Sequence, residues 1–181
     1  MRVLVHFSKF NFQFVRDNID HFLYSSSVSS EKDPRIFARE TALGRLGRRE
    51  CSAKDIHQNL VRKGVSPEIA TDVVAELIER ELISDERFAR MMTRHLCSRG
   101  KGPAMVRQKL REKGIVIALD KIQELMHELT NTTELDAARE IVGRRYPDFG
   151  VDRKEAQRAF QALVRRGFSF QVAREALKNP V

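Results

Sequence analysis

Three glycines restrict what this chain can fold into more than any other feature of it. Gly64, Gly114 and Gly167 stand 50 and 53 residues apart, each closing a near-copy of one hexamer: Leu60-Val61-Arg62-Lys63-Gly64-Val65, Leu110-Arg111-Glu112-Lys113-Gly114-Ile115 and Leu163-Val164-Arg165-Arg166-Gly167-Phe168. Each copy reads as a helix end. An apolar anchor is followed by cations that offset the negative end of the helix dipole, a Gly free to turn left-handed, and an apolar residue that folds back. A recurrence of this length is the signature of a repeat protein.

The register extends in both directions. Eight residues before each Gly stand Ile56, Val106 and Ala159, and five after it Ile69, Leu119 and Val172. Steps of four keep these residues on one helix face, so each copy predicts an amphipathic helix, a Gly turn and a second amphipathic helix. Ala38, Phe88 and Ala138, then Ala42, Met92 and Val142, then Leu46, Leu96 and Tyr146, mark a further helix ahead of each pair. The extra length of the third copy falls in Pro147-Asp148-Phe149-Gly150, a predicted loop in which Phe149 is the aromatic expected to be exposed. The expectation is an all-α protein of three tandem three-helix repeats, 35–83, 84–133 and 134–181, in an elongated, curved array. Few aromatics, no Trp and 32% charged residues suit such an array better than a β-rich globule.

Local signals place the helix ends. Asp33-Pro34 opens the first helix, expected to run to Arg49. Ser52 with Asp55 caps the second, and Ser66-Pro67-Glu68 opens a third that buries Ile69, Val73, Val74, Leu77 and Ile78. Ser84 or Asp85 caps the first helix of repeat two, Pro103 begins its second, and Asn131-Thr132-Thr133 separates repeats two and three. The final helix, around Val172 to Leu177, is expected to be the shortest. Residues 1–34 fall outside the repeat: Phe7, Phe10, Phe12, Phe14 and Phe22 mix with charges ahead of a Ser-rich tract, and Lys9, Arg16 and Asp17 interrupt any signal-peptide core. They read as a flexible extension or a start assigned too far upstream; the alternative is an apolar arm that docks on the body or a partner.

A net charge of +8 points to an anionic partner, a nucleic acid or an acidic protein surface. Arg99-Gly100-Lys101-Gly102 precedes a predicted helix N-terminus, where free N–H groups favour phosphate or carboxylate; the plain alternative is a solvated basic loop. Arg107, Lys109, Arg111 and Lys113 follow on the next helix. Arg45, Arg48 and Arg49 cluster near the end of the first helix of repeat one, Arg144 and Arg145 near the equivalent end in repeat three, and Arg45, His95 and Arg145 occupy equivalent positions suited to a row. The five histidines lack HxxxH or HExxH spacing, so no metal is expected, and neither catalytic residues nor a cofactor loop can be read. Asp85 and Glu86 are the one tempting carboxylate pair, and helix capping explains them more simply. Cys51 and Cys97 occupy non-equivalent positions, which reads as reduced thiols in a cytoplasmic protein. No apolar run is long enough to span a membrane.

Over about residues 38–178 the chain resembles the RecX family of regulatory proteins. The second repeat carries the likeness best: Leu82-Ile83-Ser84-Asp85-Glu86-Arg87-Phe88-Ala89, then Gly102-Pro103-Ala104-Met105-Val106-Arg107-Gln108-Lys109-Leu110-Arg111-Glu112-Lys113-Gly114-Ile115. The family pattern is a corner ending in Asp, then Phe-Ala, then a Gly ahead of a helix closing Leu-x-x-Lys-Gly-Ile. Ser84 departs from it, standing where Asn or Asp is usual, and residues 1–34 have no counterpart. The resemblance implies a cytoplasmic, non-enzymatic monomer without cofactor that lies in the groove of the RecA–DNA filament and modulates, most often inhibits, RecA's ATP hydrolysis and strand exchange. RecA and single- and double-stranded DNA are the implied partners. The basic residues named above would serve as electrostatic contacts. A stand-alone DNA- or RNA-binding protein is the alternative from another class.

Overall fold

The computed structural model describes residues 33–178, so the expectations for residues 1–32 lie outside the described residues. Nine α-helices are present among these: α1 Pro34–Leu46, α2 Ala53–Arg62, α3 Pro67–Glu79, α4 Asp85–Ser98, α5 Pro103–Glu112, α6 Leu119–Thr130, α7 Glu134–Arg145, α8 Arg153–Arg165 and α9 Phe170–Ala176. They form two compact units divided after Ser84: the first holds α1–α3, the second α4–α9. In each repeat the third helix packs against both of the others.

The hexamers close α2, α5 and α8 as their sequence dictates. Gly64, Gly114 and Gly167 have φ of +87°, +85° and +92°, a region where a Cβ meets the following carbonyl. Past each glycine the N–H of Val65, Ile115 or Phe168 donates back to the carbonyl of Leu60, Leu110 or Leu163, at 3.2, 3.0 and 3.2 Å. This is the Schellman closure, and its hydrophobic contact is present: all six residues are buried. Burial of each large anchor contributes about 1.5–3 kcal/mol.

Three cores result, one per repeat: around Ile56, Leu60, Val73 and Leu77; around Phe88, Val106, Leu110 and Ile122; and around Ile141, Ala159, Leu163 and Phe168. Ion pairs tie first to third helices at their margins, Arg39 to Glu76 at 2.7 Å and Arg90 to Glu128 at 2.6 Å. The caps follow the sequence. Asp33 accepts from the Arg35 N–H at 2.8 Å, Ser52 from Asp55 at 3.1 Å and Ser66 from Ile69 at 3.3 Å. Thr133 and Asp136 form a reciprocal capping box after Asn131, which turns left-handed at φ +54°.

Four details differ from expectation. α1 ends at Leu46, leaving Arg48 and Arg49 in the following turn; Gly47, a poor helix former, is its C-cap, and the Cys51 thiol donates to the Arg49 carbonyl. Ile78 is 47% exposed, because Ala70, Val73, Val74 and Leu77 already fill the buried stripe of α3 and Leu82 and Ile83 close the core beyond it. α6 starts five residues after its glycine, whereas α3 and α9 start three after theirs. Val116 is left 85% exposed, and Ala118, at the N-cap, supplies no side-chain hydrogen bond. Phe149 is half-buried and packs on the third core, since the turn from Tyr146 to Asp152 folds back: the Phe149 N–H donates to the Tyr146 carbonyl at 3.2 Å.

Candidate functional site

The basic residues singled out from sequence divide between the two units. In the first, Arg48 and Arg49 are exposed, but Arg45 is half-buried between Leu43 and Leu46. Its Nε is shut off from solvent and has no hydrogen-bond partner among the described residues. Arg45 therefore differs from its equivalents His95 and Arg145, which are exposed.

In the second unit, Arg107 and Arg111 are exposed and lie one turn apart on α5, flanking the buried stripe of Val106 and Leu110. The neighbouring stripe is less available. Lys109 is half-buried and its ammonium is 2.9 Å from Glu112, an interaction that holds the Glu112 carboxyl below its ordinary range. Lys113, at the C-cap of α5, is half-buried as well. Arg99, Arg144 and Arg145 are exposed and Lys101 is half-buried.

The loop ahead of α5 is not an anion cradle. The Gly102 N–H donates to the Arg166 carbonyl at 2.8 Å and the Ala104 N–H to the Gly167 carbonyl at 3.1 Å. Pro103 has no N–H, and those of Met105 and Val106 turn back to the Gly102 carbonyl at 3.1 Å. The end of α8 thus occupies the donors that a phosphate would need. The approach is so close that a Cβ on Gly102 would lie 2.6 Å from the Gly167 carbonyl carbon, and one on Gly167 2.4 Å from the Met105 nitrogen. Arg166 reaches further into the loop, its Nη1 donating to the carbonyls of Arg99 and Gly100 at 3.2 Å each. The side chains of Arg99 and Lys101 remain candidates; the backbone does not.

Lys101 and Arg144 line one groove in company with Arg94, which sequence reasoning did not single out. Nothing local marks Arg94: it is one exposed Arg among many on a basic helix. Only the placement of α7 beside α4 and α6 brings it to that groove. Among the described residues no three His, Cys, Asp or Glu side chains are grouped to hold a metal, and no helix is long and apolar enough to cross a membrane. Cys51 and Cys97 are unpaired thiols, and burial pushes that of Cys97 up. What this surface offers is fixed positive charge on helical scaffolds.

Comparison with known proteins bears on each repeat separately. The model of the first three-helix domain of RecX matches residues 38–77, that of the second 84–116 and that of the third 132–177. The chain is similar to the regulatory protein RecX of Halorhodospira halophila, 34% identical over 76% of this chain and 84% of that protein. It is 33% identical to the regulatory protein RecX of Syntrophotalea carbinolica over 77% and 93% of the two chains. In fold it resembles the crystal structure of RecX from Lactobacillus salivarius, with a TM-score of 0.68 and 21% identity over 82% of this chain and 97% of that one.

Proposed function

The chain belongs to the RecX family of regulatory proteins, and from that premise we propose that it binds the RecA–DNA filament along its groove and restrains RecA's ATP hydrolysis and strand exchange. The observation that carries this reading is the match of all three repeats, in order, to the three RecX domains. A partner that is itself periodic suits a protein whose structural unit recurs about every 50 residues. On this reading the protein acts as a cytoplasmic monomer and without catalysis: Arg107 and Arg111, with Arg99, Lys101, Arg144 and Arg145, attract and align the filament from the second unit, and Arg48 and Arg49, with Arg45, from the first. Lys109 contributes less, being already paired with Glu112, and Lys113 lies beyond the exposed stripe at the C-cap of α5.

The test is co-sedimentation with RecA assembled on single-stranded DNA, comparing the native chain with a Lys101→Glu, Arg107→Glu double variant of unchanged helicity. Reversing two contacts should weaken association at least tenfold at moderate salt. Undiminished association would remove this patch from the interface. A second reading, a stand-alone DNA- or RNA-binding protein, is favoured by the net charge of +8. It requires nucleic-acid affinity that falls steeply with salt and is indifferent to RecA.

A further inference from the structure

The groove lined by Arg94, Lys101 and Arg144 has a cavity volume of about 630 Å³, within the size range of ligand-binding clefts. It lies wholly inside the second unit, between α4 and α6 of the second repeat and α7 of the third. Its three cations come from three separate elements: α4, the loop ahead of α5, and α7. Among the described residues none of the three side chains makes an ion pair or hydrogen bond, whereas Arg39, Arg90, Lys109, Lys121 and Lys178 are all paired. Beside these cations Pro103, Met126 and Ile141 give the groove an apolar floor.

The N-terminal end of α7 adds a carboxylate to the lining. Glu134 is fixed there, one oxygen accepting from the Gln123 amide at 2.9 Å and the other from the Ser169 N–H at 3.0 Å. Glu134 and Arg144 are ten residues apart on α7, about 15 Å of helix, the span of roughly four to five extended residues. The groove therefore sets unpaired cations beside carboxylates over an apolar floor, with Glu140 one helical turn from Arg144.

We propose that this groove docks an acidic peptide segment, its carboxylates on Arg94, Lys101 and Arg144 and an apolar side chain on the floor between Met126 and Ile141. Charge complementarity selects the occupant. A sugar–phosphate chain carries an anion at every unit and would have to pass Glu134 and Glu140, both part of the lining; a peptide places its charges selectively. Base stacking has no phenyl face to use, since Phe168 is only 4% exposed. The inference goes beyond the filament reading, because it assigns one groove and one ligand chemistry without invoking RecA.

The probe is a short fluorescein-labelled peptide with an Asp/Glu run followed by Leu-Phe-Leu, titrated by anisotropy into the full chain with no RecA or DNA present. Saturable binding is expected, about tenfold weaker for a peptide whose apolar residues are replaced by Ser. A loss of similar size or greater is expected in Arg94→Glu, which reverses a charge, and a loss of similar size in Ala137→Gln, which fills the groove without changing charge. Circular dichroism checks both variants, and if Ala137→Gln fails to fold, Arg94→Glu decides alone. No binding, equal binding of the Ser peptide, or indifference to the folded variants would overturn the proposal. Displacement of the probe by an oligothymidylate at equal charge would reassign the groove to nucleic acid. Failure here leaves the co-sedimentation result standing, and the reverse holds too.

Discussion

Substituting Ala for glycine at three positions separates two physical effects that the second and third repeats combine. Gly64→Ala places a Cβ at φ +87° with nothing within 4 Å of it, so only left-handed strain is added, about 1–2 kcal/mol. Gly102 has an ordinary φ of −83°, so Gly102→Ala adds no strain. Its Cβ would meet the Gly167 carbonyl carbon and oxygen and the Phe168 nitrogen, all at 2.6 Å. Backbone atoms cannot rotate aside as a side chain does, so the two segments must separate. Overpacking of this kind costs about 1–3 kcal/mol, and the hydrogen bonds from Gly102 and Ala104 to Arg166 and Gly167 are worth about 1 kcal/mol each. With both hydrogen bonds lost, roughly 3–5 kcal/mol is expected, against about 1–2 for Gly64→Ala. Gly167→Ala, at φ +92° and 2.4 Å from the Met105 nitrogen, carries both effects and should be the worst. Urea unfolding followed by helicity gives the ranking, and hydrogen exchange at the Gly102 and Ala104 amides reports the contact directly. Gly102→Ala at native stability with both amides still protected would refute the reasoning, as would Gly64→Ala costing as much as Gly167→Ala.

Other consequences are smaller but equally definite. Thr133→Ala removes the capping box of α7 and should cost about 1 kcal/mol in urea unfolding. Hydrogen bonds from Lys109, Arg90, Thr133 and Lys178 hold the carboxyls of Glu112, Glu128, Asp136 and Glu175 below their ordinary range. Such groups contribute stability that is full above the unfolded-state pKa and lost as pH falls through the folded one, so their contribution should decline between about pH 5 and pH 3. A urea midpoint that rose over that window would contradict the assignment. Arg107→Ala should weaken filament association more than Lys109→Ala, because Lys109 is already engaged by Glu112 at 2.9 Å; equal losses in co-sedimentation would count against the exposed-stripe account.

The repeat was legible because its marks are local. A left-handed glycine four residues past a Leu, with an apolar residue behind it, closes a helix through contacts five residues apart, and all three copies do so. Caps such as Ser52 and Ser66 were legible for the same reason. Contacts between distant segments were not. Gly102 looks like a spacer ahead of Pro103, and nothing within its own neighbourhood says that the Arg166 carbonyl takes its N–H. The free helix N-terminus inferred there was lost to a partner 64 residues away. Phe149 sits in a Pro-Asp-Phe-Gly turn whose composition suggests exposure, yet the turn folds back onto the third core. Arg45 shares the local pattern of a dipole-compensating cation, and only the packing of α1 shows its Nε to be enclosed. Arg94 acquires meaning only from the position of α7.

RecA's DNA-dependent ATP hydrolysis, with this chain titrated in at substoichiometric and equimolar ratios, tests the central claim most directly. Filament-groove binding predicts inhibition that deepens with added protein and is relieved in the Lys101→Glu, Arg107→Glu variant. Hydrolysis unchanged at every ratio, beside salt-sensitive binding to DNA alone, would contradict it and leave a nucleic-acid-binding repeat protein that acts without RecA.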